Sequence, residues 1–227
     1  MKLGSTEISK IYLGSTEVSK AYLGDVQVHG GASPVLPYDA EVEYIECDGS
    51  AYINTGIKTA STTSFNFSIY LPQYTNFNPA PWLFGSRSGA NKGQMALLID
   101  SSTSTQWRYG TKMVSLPFLG AGNYTISNVN ASRTLVVNGT SYSSSSQSFT
   151  SNYDFDIFCL NVNGTHGGFA SGMRFKNGKI YQNGTLVRDY IAVRVGQVGY
   201  LYDKVSGTLF GNANATGAFV LGNDVTN

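Results

Sequence analysis

Ser64-Phe65-Asn66-Phe67-Ser68-Ile69-Tyr70-Leu71 alternates without interruption, with Phe65, Phe67, Ile69 and Leu71 on one side and Asn66, Ser68 and Tyr70 on the other. Successive side chains of an extended strand point to opposite faces, so the stretch reads as a strand half-buried against a second layer. The flanking sequence supplies that layer. Trp82-Leu83-Phe84, Met95-Ala96-Leu97-Leu98-Ile99, Trp107-Arg108-Tyr109 and Thr134-Leu135-Val136-Val137 are further short strands. No window carries a capped 3.6-residue apolar period, so helix is not expected as a building element.

The turns agree. Asn-Gly favours hairpins because both residues tolerate positive φ, and it occurs at Asn138-Gly139, Asn163-Gly164, Asn177-Gly178 and Asn183-Gly184. The first separates Leu135–Val137 from Thr140–Tyr142 and predicts a hairpin. Asn177-Gly178 leaves two readings open: a turn, or one strand running through a bulge. Ser143–Ser146 is a low-complexity loop. Three of these asparagine-rich segments also spell Asn-X-Thr (at Asn123, Asn163 and Asn183) and are read as turns rather than glycosylation sites. Many short antiparallel strands with such punctuation predict a β-sandwich or jelly roll.

Ahead of this lies a repeat. Leu3-Gly4-Ser5-Thr6-Glu7-Ile8-Ser9-Lys10-Ile11-Tyr12 is followed by Leu13-Gly14-Ser15-Thr16-Glu17-Val18-Ser19-Lys20-Ala21-Tyr22, and then by Leu23-Gly24-Asp25-Val26-Gln27-Val28. Gly-Ser-Thr reads as a turn and the residues after it as a short strand with apolar groups on both faces. A ribbon of such strands is marginal alone in water. Further copies of itself are the simplest cover, so residues 1–28 are expected to form an oligomerising and docking stem through Ile8, Tyr12, Leu13, Val18, Tyr22 and Leu23. The competing reading is a small meander capping the next domain. Residues 29–42, with Gly30-Gly31, Pro34 and Pro37, read as a linker, and 43–227 as the main domain.

Composition narrows the partners. Hydrophobic residues make up 41% of the 227, enough for a sizeable core, whereas charged residues make up only 13%. The surface is therefore largely Ser, Thr, Asn, Gly and Tyr, which suits sugar or protein contact. A net charge of +1 without a basic run lacks the footprint of a nucleic-acid binder. No apolar run reaches the roughly 18 residues that cross a bilayer, and Met1–Lys10 has no secretory h-region. Neither membrane insertion nor export is expected; the chain is made in a cytoplasm and leaves it only within a larger particle. Cys47 and Cys159 are too far apart in sequence for a metal motif and are expected as buried free thiols.

Two stretches resemble a known group. Glu43-Tyr44-Ile45-Glu46-Cys47-Asp48-Gly49-Ser50-Ala51-Tyr52-Ile53-Asn54-Thr55-Gly56-Ile57 is similar to the opening strand pair of laminin-G-like, concanavalin A-like jelly rolls. Lys179–Val193 (KIYQNGTLVRDYIAV), continued by Val198–Gly207 and by Phe210-Gly211-Asn212, is similar to their closing strands. Such domains are frequent in proteins of gut bacteria and their phages. The likeness spans about 43–222; Ala192 departs from it, standing where the group usually has proline and implying a looser strand edge. The ten-residue repeats in turn resemble attachment segments of phage virion fibres, which are commonly homotrimers. The resemblance implies a head or tail fibre or decoration protein that docks onto other virion proteins through its stem. Its tip would be lectin-like and would bind a host-surface or environmental glycan.

Catalytic chemistry finds little support. Fold relatives that cleave glycosides need two carboxylates about 5–9 Å apart. Asp154-Phe155-Asp156 is the one tight acidic pair on a strand, but the Glu-x-Asp-x-x-Glu pattern of laminarinase-like enzymes is missing, and a solvated strand face explains the pair more simply. His29 and His166 have no Cys, Ser or carboxylate partner at motif spacing, which argues against a triad or zinc site. Asp48, Asp154, Asp156 and Asn163 are calcium-type donors without a ligand loop, and turn roles account for them. The remaining candidates are sugar-binding: Tyr74 and Asn76 in the Pro-flanked loop 72–81, Trp82, Trp107 and Arg108. A strand tryptophan is more often core than ligand site, whereas Tyr74 is expected to be exposed.

The sequence therefore predicts an all-β chain: an antiparallel β-sandwich of concanavalin A-like jelly-roll type, preceded by a short β-repeat stem. No enzyme activity, cofactor or metal is expected. The expected role is a trimeric virion fibre or decoration protein presenting a glycan-binding tip. A bacterial surface lectin or adhesin, or a glycoside hydrolase of the same fold, are the alternatives.

Overall fold

The alternating stretch lies within β10 (Thr63–Leu71), where Phe65, Phe67, Ile69 and Leu71 are buried and Asn66 is exposed. The computed structural model describes residues 2–3, 6–7, 10, 12–18, 20–23, 26–29, 36–89, 92–128, 133–145 and 148–225. They form two compact units, Met1–Pro37 and Tyr38–Asn227. Every regular element among them is a strand.

In the first unit each repeat makes its own hairpin: β1 (Lys2–Leu3) with β2 (Thr6–Glu7), β3 (Tyr12–Leu13) with β4 (Thr16–Glu17), and β5 (Ala21–Leu23) with β6 (Val26–His29). The sequence suggests one strand per repeat; the structure has two, and in the second repeat the turn between them is Gly14-Ser15. Gly14 adopts φ 65°, which a glycine tolerates at no steric cost. Tyr12 and Leu13 are exposed, Val18 is half-buried, and Lys10 pairs with Glu17 at 3.0 Å. Tyr22 and Leu23 lie on β5, while Ile8 is outside the described residues.

The second unit contains two sheets. One runs β17 (Thr140–Ser143), β16 (Thr134–Val137), β15 (Gly122–Ser127), β10, β21 (Arg174–Gln182), β22 (Thr185–Val195), β23 (Val198–Asp203), β24 (Thr208–Phe210). Three short strands join it: β7 (Ala40–Glu41), β8 (Ile45–Cys47) and β25 (Phe219–Leu221). The other sheet runs β14 (Lys112–Pro117), β13 (Ser104–Gly110), β12 (Gln94–Ser101), β11 (Trp82–Arg87), β18 (Thr150–Ile157), β9 (Ile53–Ala60). It also holds β19 (Leu160–Val162), which runs parallel to β11, and β20 (Thr165–Gly167). All other ladders are antiparallel.

Rings from both sheets interlock between them. Phe67 meets Phe84 edge-on with centroids 5.4 Å apart, and Phe65 meets Phe84 at 5.0 Å and Trp107 at 6.0 Å. Such tilted contacts suit the ring quadrupoles and exclude water from the space between the layers. Three of the Asn-Gly pairs turn hairpins, with positive φ at Asn138, Asn163 and Asn183 and at the glycines that follow. Asn177-Gly178 does not: β21 runs through it, with a register shift opposite Ser68–Ile69. Gly178 is needed there because a Cβ would collide with Phe67 and lie 2.8 Å from Phe175.

Two sequence readings change. Residues 38–42, read as linker, belong to the second unit: Glu41 pairs with Val193, and Val42 is in the core. The strand at Ala192 is not loose, because its carbonyl accepts the Val42 N–H at 3.0 Å and it pairs with Leu201 on β23. Cys47 and Cys159 are both free and buried, as the sequence suggests.

Phe67→Ala is expected to cost about 3–5 kcal/mol in urea unfolding through the cavity it leaves. Asn66→Ala, one residue away on the open face, is expected to stay within about 0.5 kcal/mol of the parent. Equal losses at the two positions would refute the face assignment.

Candidate functional site

Inner residues of the second sheet alternate with residues on its outer face. Met95, Leu97 and Ile99 of β12 and Trp107 and Tyr109 of β13 join the core, which turns Gln94, Ala96, Leu98, Gln106 and Arg108 to the other side. Ala96 pairs with Arg108 on one flank and Gly85 on the other, and Leu98 pairs with Gln106 and Trp82. Gly85 and Ala96 are the small residues of this strip of the sheet, and both are buried.

Trp82 anchors this strip. Its backbone N–H donates to the Gly168 carbonyl at 2.7 Å, and Gly168 packs so close that a Cβ there would strike the indole. The Arg108 guanidinium lies 4.9 Å from the indole centroid and that of Arg87 lies 5.5 Å from it. Arg108 donates from Nε and Nη2 to Gln106 Oε1 at 3.2 and 2.9 Å, which fixes its plane. Burial depresses the pKa of both guanidinium groups. At Arg108 the charge of Arg87 adds to this, and Asp100 opposes it. Arg87 Nε and both amide atoms of Gln94 are buried without a hydrogen-bond partner among the described residues.

Of the sequence candidates, Trp82 and Arg108 are thus brought together. Trp107, next to Arg108 in the chain, is fully buried on the opposite face, its Nε1–H donating to the Arg133 carbonyl at 3.1 Å. Tyr74 is also buried, contrary to the expected exposure, because the loop folds its ring into the core, and burial pushes its phenol pKa up. Asn76 is exposed and its Oδ1 accepts the Asn78 N–H, a turn role. Arg87 and Gln94 escaped the sequence reading. The only signal for Arg87 was its place five residues beyond Trp82, and the bulge between Trp82 and Phe84 breaks the alternation that would have shown the shared face.

A second cluster also corrects the sequence reading. Asp156, expected on a solvated face, is fully buried, and His166 and Cys159, expected without partners, converge on it. The hairpin of β19 and β20 carries His166 back over the end of β18. His166 Nδ1 lies 2.6 Å from Asp156 Oδ2, Cys159 Sγ lies 3.6 Å from the same oxygen, and Tyr52 stacks on the imidazole at 4.5 Å. Asp156 Oδ1 has no partner among the described residues.

The three donors lie within 4.8 Å of one another. Two ligands on one tetrahedral zinc are roughly 3.3 Å apart, so the 2.6 Å separation is that of a hydrogen bond. Burial raises the Cys159 pKa, and the nearby Asp156 charge raises it further, so the thiol is not an activated nucleophile. Asp154 is half-buried and accepts from Asn54 at 3.2 Å.

The outer face of the first sheet carries two open polar grooves, one along Asn66, Ser68, Asn177 and Lys179, the other along Tyr44, Tyr70, Asn123 and Arg174. Arg174 lies over Tyr44 and Tyr70 at 4.4 and 5.0 Å but is neutralised by Glu46 at 2.6 Å. No protein-family profile matches the chain, and neither does any curated protein sequence.

Burial pushes the Asp156 pKa up to about 7, against the hydrogen bond and charge of His166, which lower it. The unfolded value is about 3.9, so the folded state keeps this proton where the unfolded state has lost it. The stability it contributes is full below about pH 4 and is lost as pH rises through about 7. Relative to Asp156→Asn, the parent is therefore expected to lose roughly 3–4 kcal/mol between pH 4 and 8 in denaturant titrations. A pH-independent difference would show that the buried acid does not carry the proton.

Proposed function

We propose that the chain is a non-enzymatic glycan-binding protein, a jelly-roll tip presented on a trimerising N-terminal stem, as in a phage virion fibre or decoration protein. The observation that carries the reading is the strip on the second sheet. It gathers two guanidinium groups at the Trp82 ring beside an amide with open hydrogen-bonding capacity, and among the described residues no activated nucleophile or exposed carboxylate pair accompanies them. Sugars need this combination of fixed planar groups and a few orientated polar atoms. The segments that resemble laminin-G-like domains fall on β8, β9 and β21–β24, consistent with one contiguous domain of that type.

The stem reading rests on different residues. Three two-stranded hairpins bury little on their own, and Tyr12 and Leu13 stand 55% and 80% exposed. A second and third copy of the chain is the occupant proposed for that apolar surface. The register of the hairpins repeats along the stem, so identical chains can meet it identically. Three tips on one stem convert weak single-site affinity into avidity, and the same stem would dock onto other virion proteins.

Two measurements test this. In a glycan array the whole protein is expected to bind, and Trp82→Ala or Arg108→Gln to weaken that binding about tenfold or more. In light scattering the whole protein is expected to be a trimer and residues 38–227 a smaller species that binds a glycan-coated surface ~10²-fold more weakly. A monomer in both cases would remove the stem from the proposal.

A further inference from the structure

Arg87 and Arg108 are two positive charges partly withdrawn from water, brought together over one indole and repelling each other. A charge removed from water is costly unless it is paired, and two like charges compound that cost. Three other arginines of the chain are paired with carboxylates. Arg174 lies 2.6 Å from Glu46, Arg194 lies 2.6 Å from Asp224, and Arg188 lies 3.7 Å from Asp203. Among the described residues no carboxylate reaches ion-pair distance of Arg87 or Arg108, and the pull of Asp100 on Arg108 comes from farther off. Gln94, on the neighbouring strand, has unused hydrogen-bonding capacity. It immediately precedes Met95, whose partner Ser86 immediately precedes Arg87, and it is 1% exposed with both amide atoms unpartnered.

Resting on the glycan reading above, we infer that this site takes an acidic glycan, whose carboxylate or sulfate group is held between the Arg87 and Arg108 guanidinium forks beside Gln94. A guanidinium presents parallel N–H donors that match a planar carboxylate or a sulfate edge, and the bonds are charge-assisted. The bound anion supplies the missing counter-charge and ends the repulsion between the two cations. A neutral sugar would leave both charges unpaired. An extended polyanion such as nucleic acid would need a run of cations, and the chain has a net charge of +1 and no basic run.

The test uses the full chain and simple anions first. Sodium sulfate and sodium D-galacturonate are each expected to raise Tm above sodium chloride at matched ionic strength, because they bind the folded state alone. Galactose is expected not to. Arg87→Gln and Arg108→Gln should each abolish the anion-dependent rise. Arg87→Gln should also leave the Tm in chloride unchanged or raised, since it relieves the repulsion; this separates loss of the site from loss of the fold. Oligogalacturonate and sulfated dextran, each set against its neutral counterpart (the methyl ester and plain dextran), then distinguish the carboxylate from the sulfate source by titration calorimetry. The expected loss in either Gln variant is tenfold or more. Equal binding of neutral and acidic forms, insensitive to both substitutions, would overturn the acidic ligand and leave the glycan reading standing. Failure of every saccharide on the array would overturn both. Preferential binding of a 20-nucleotide single strand with a steep salt dependence would overturn the acidic-glycan assignment in favour of a general polyanion.

Discussion

The interlocked rings between the two sheets set everything else in the second unit. Phe65, Phe67, Phe84, Phe155 and Trp107 form a connected set of ring contacts across the gap. Because side chains alternate along a strand, committing these rings inward commits their neighbours outward. Arg108 faces out because Trp107 faces in, and Asp156 faces away from the rings because Phe155 joins them. The arrangement of Trp82, Arg87 and Arg108 on the outer face is in this sense a by-product of core packing.

Polar groups that the packing buries are handled in two ways. Asp156 is stabilised by local partners: His166 hydrogen-bonds it, Cys159 donates weakly to it, and its proton is retained near neutral pH. Arg87 Nε and both amide atoms of Gln94 have no hydrogen-bond partner among the described residues. A buried group with no partner destabilises the fold, and a ligand that completes it recovers that cost on binding. Asp156 Oδ1 is likewise unpartnered among the described residues, so the two clusters differ in how many partners they have rather than in kind. Both lie on the same sheet, joined through Gly85, which pairs with Ala96 on one side and Asp156 on the other.

The N-terminal unit follows another logic. Its second hairpin turns at Gly14-Ser15, and Tyr12 and Leu13 on that hairpin are exposed. The larger unit, by contrast, fills its interior with rings.

What the sequence determined by itself was everything with a short period. The strand at 64–71, the strands at 82–84, 95–99, 107–109 and 134–137, and the hairpin at Asn138-Gly139 were legible because alternation and positive-φ turns are local properties. The β-sandwich class followed from them. Only the tertiary structure decided which outward residues meet. Trp82, Arg87 and Arg108 come from two strands that are separated by a third, Gly168 arrives from a distant segment, and the return of β20 sets His166 on Asp156. Tyr74 was misjudged for the same reason, since a loop residue has no alternation to reveal its direction. Pairing register and loop closure act over long chain separations, where a linear pattern carries no record of what the fold will bring together.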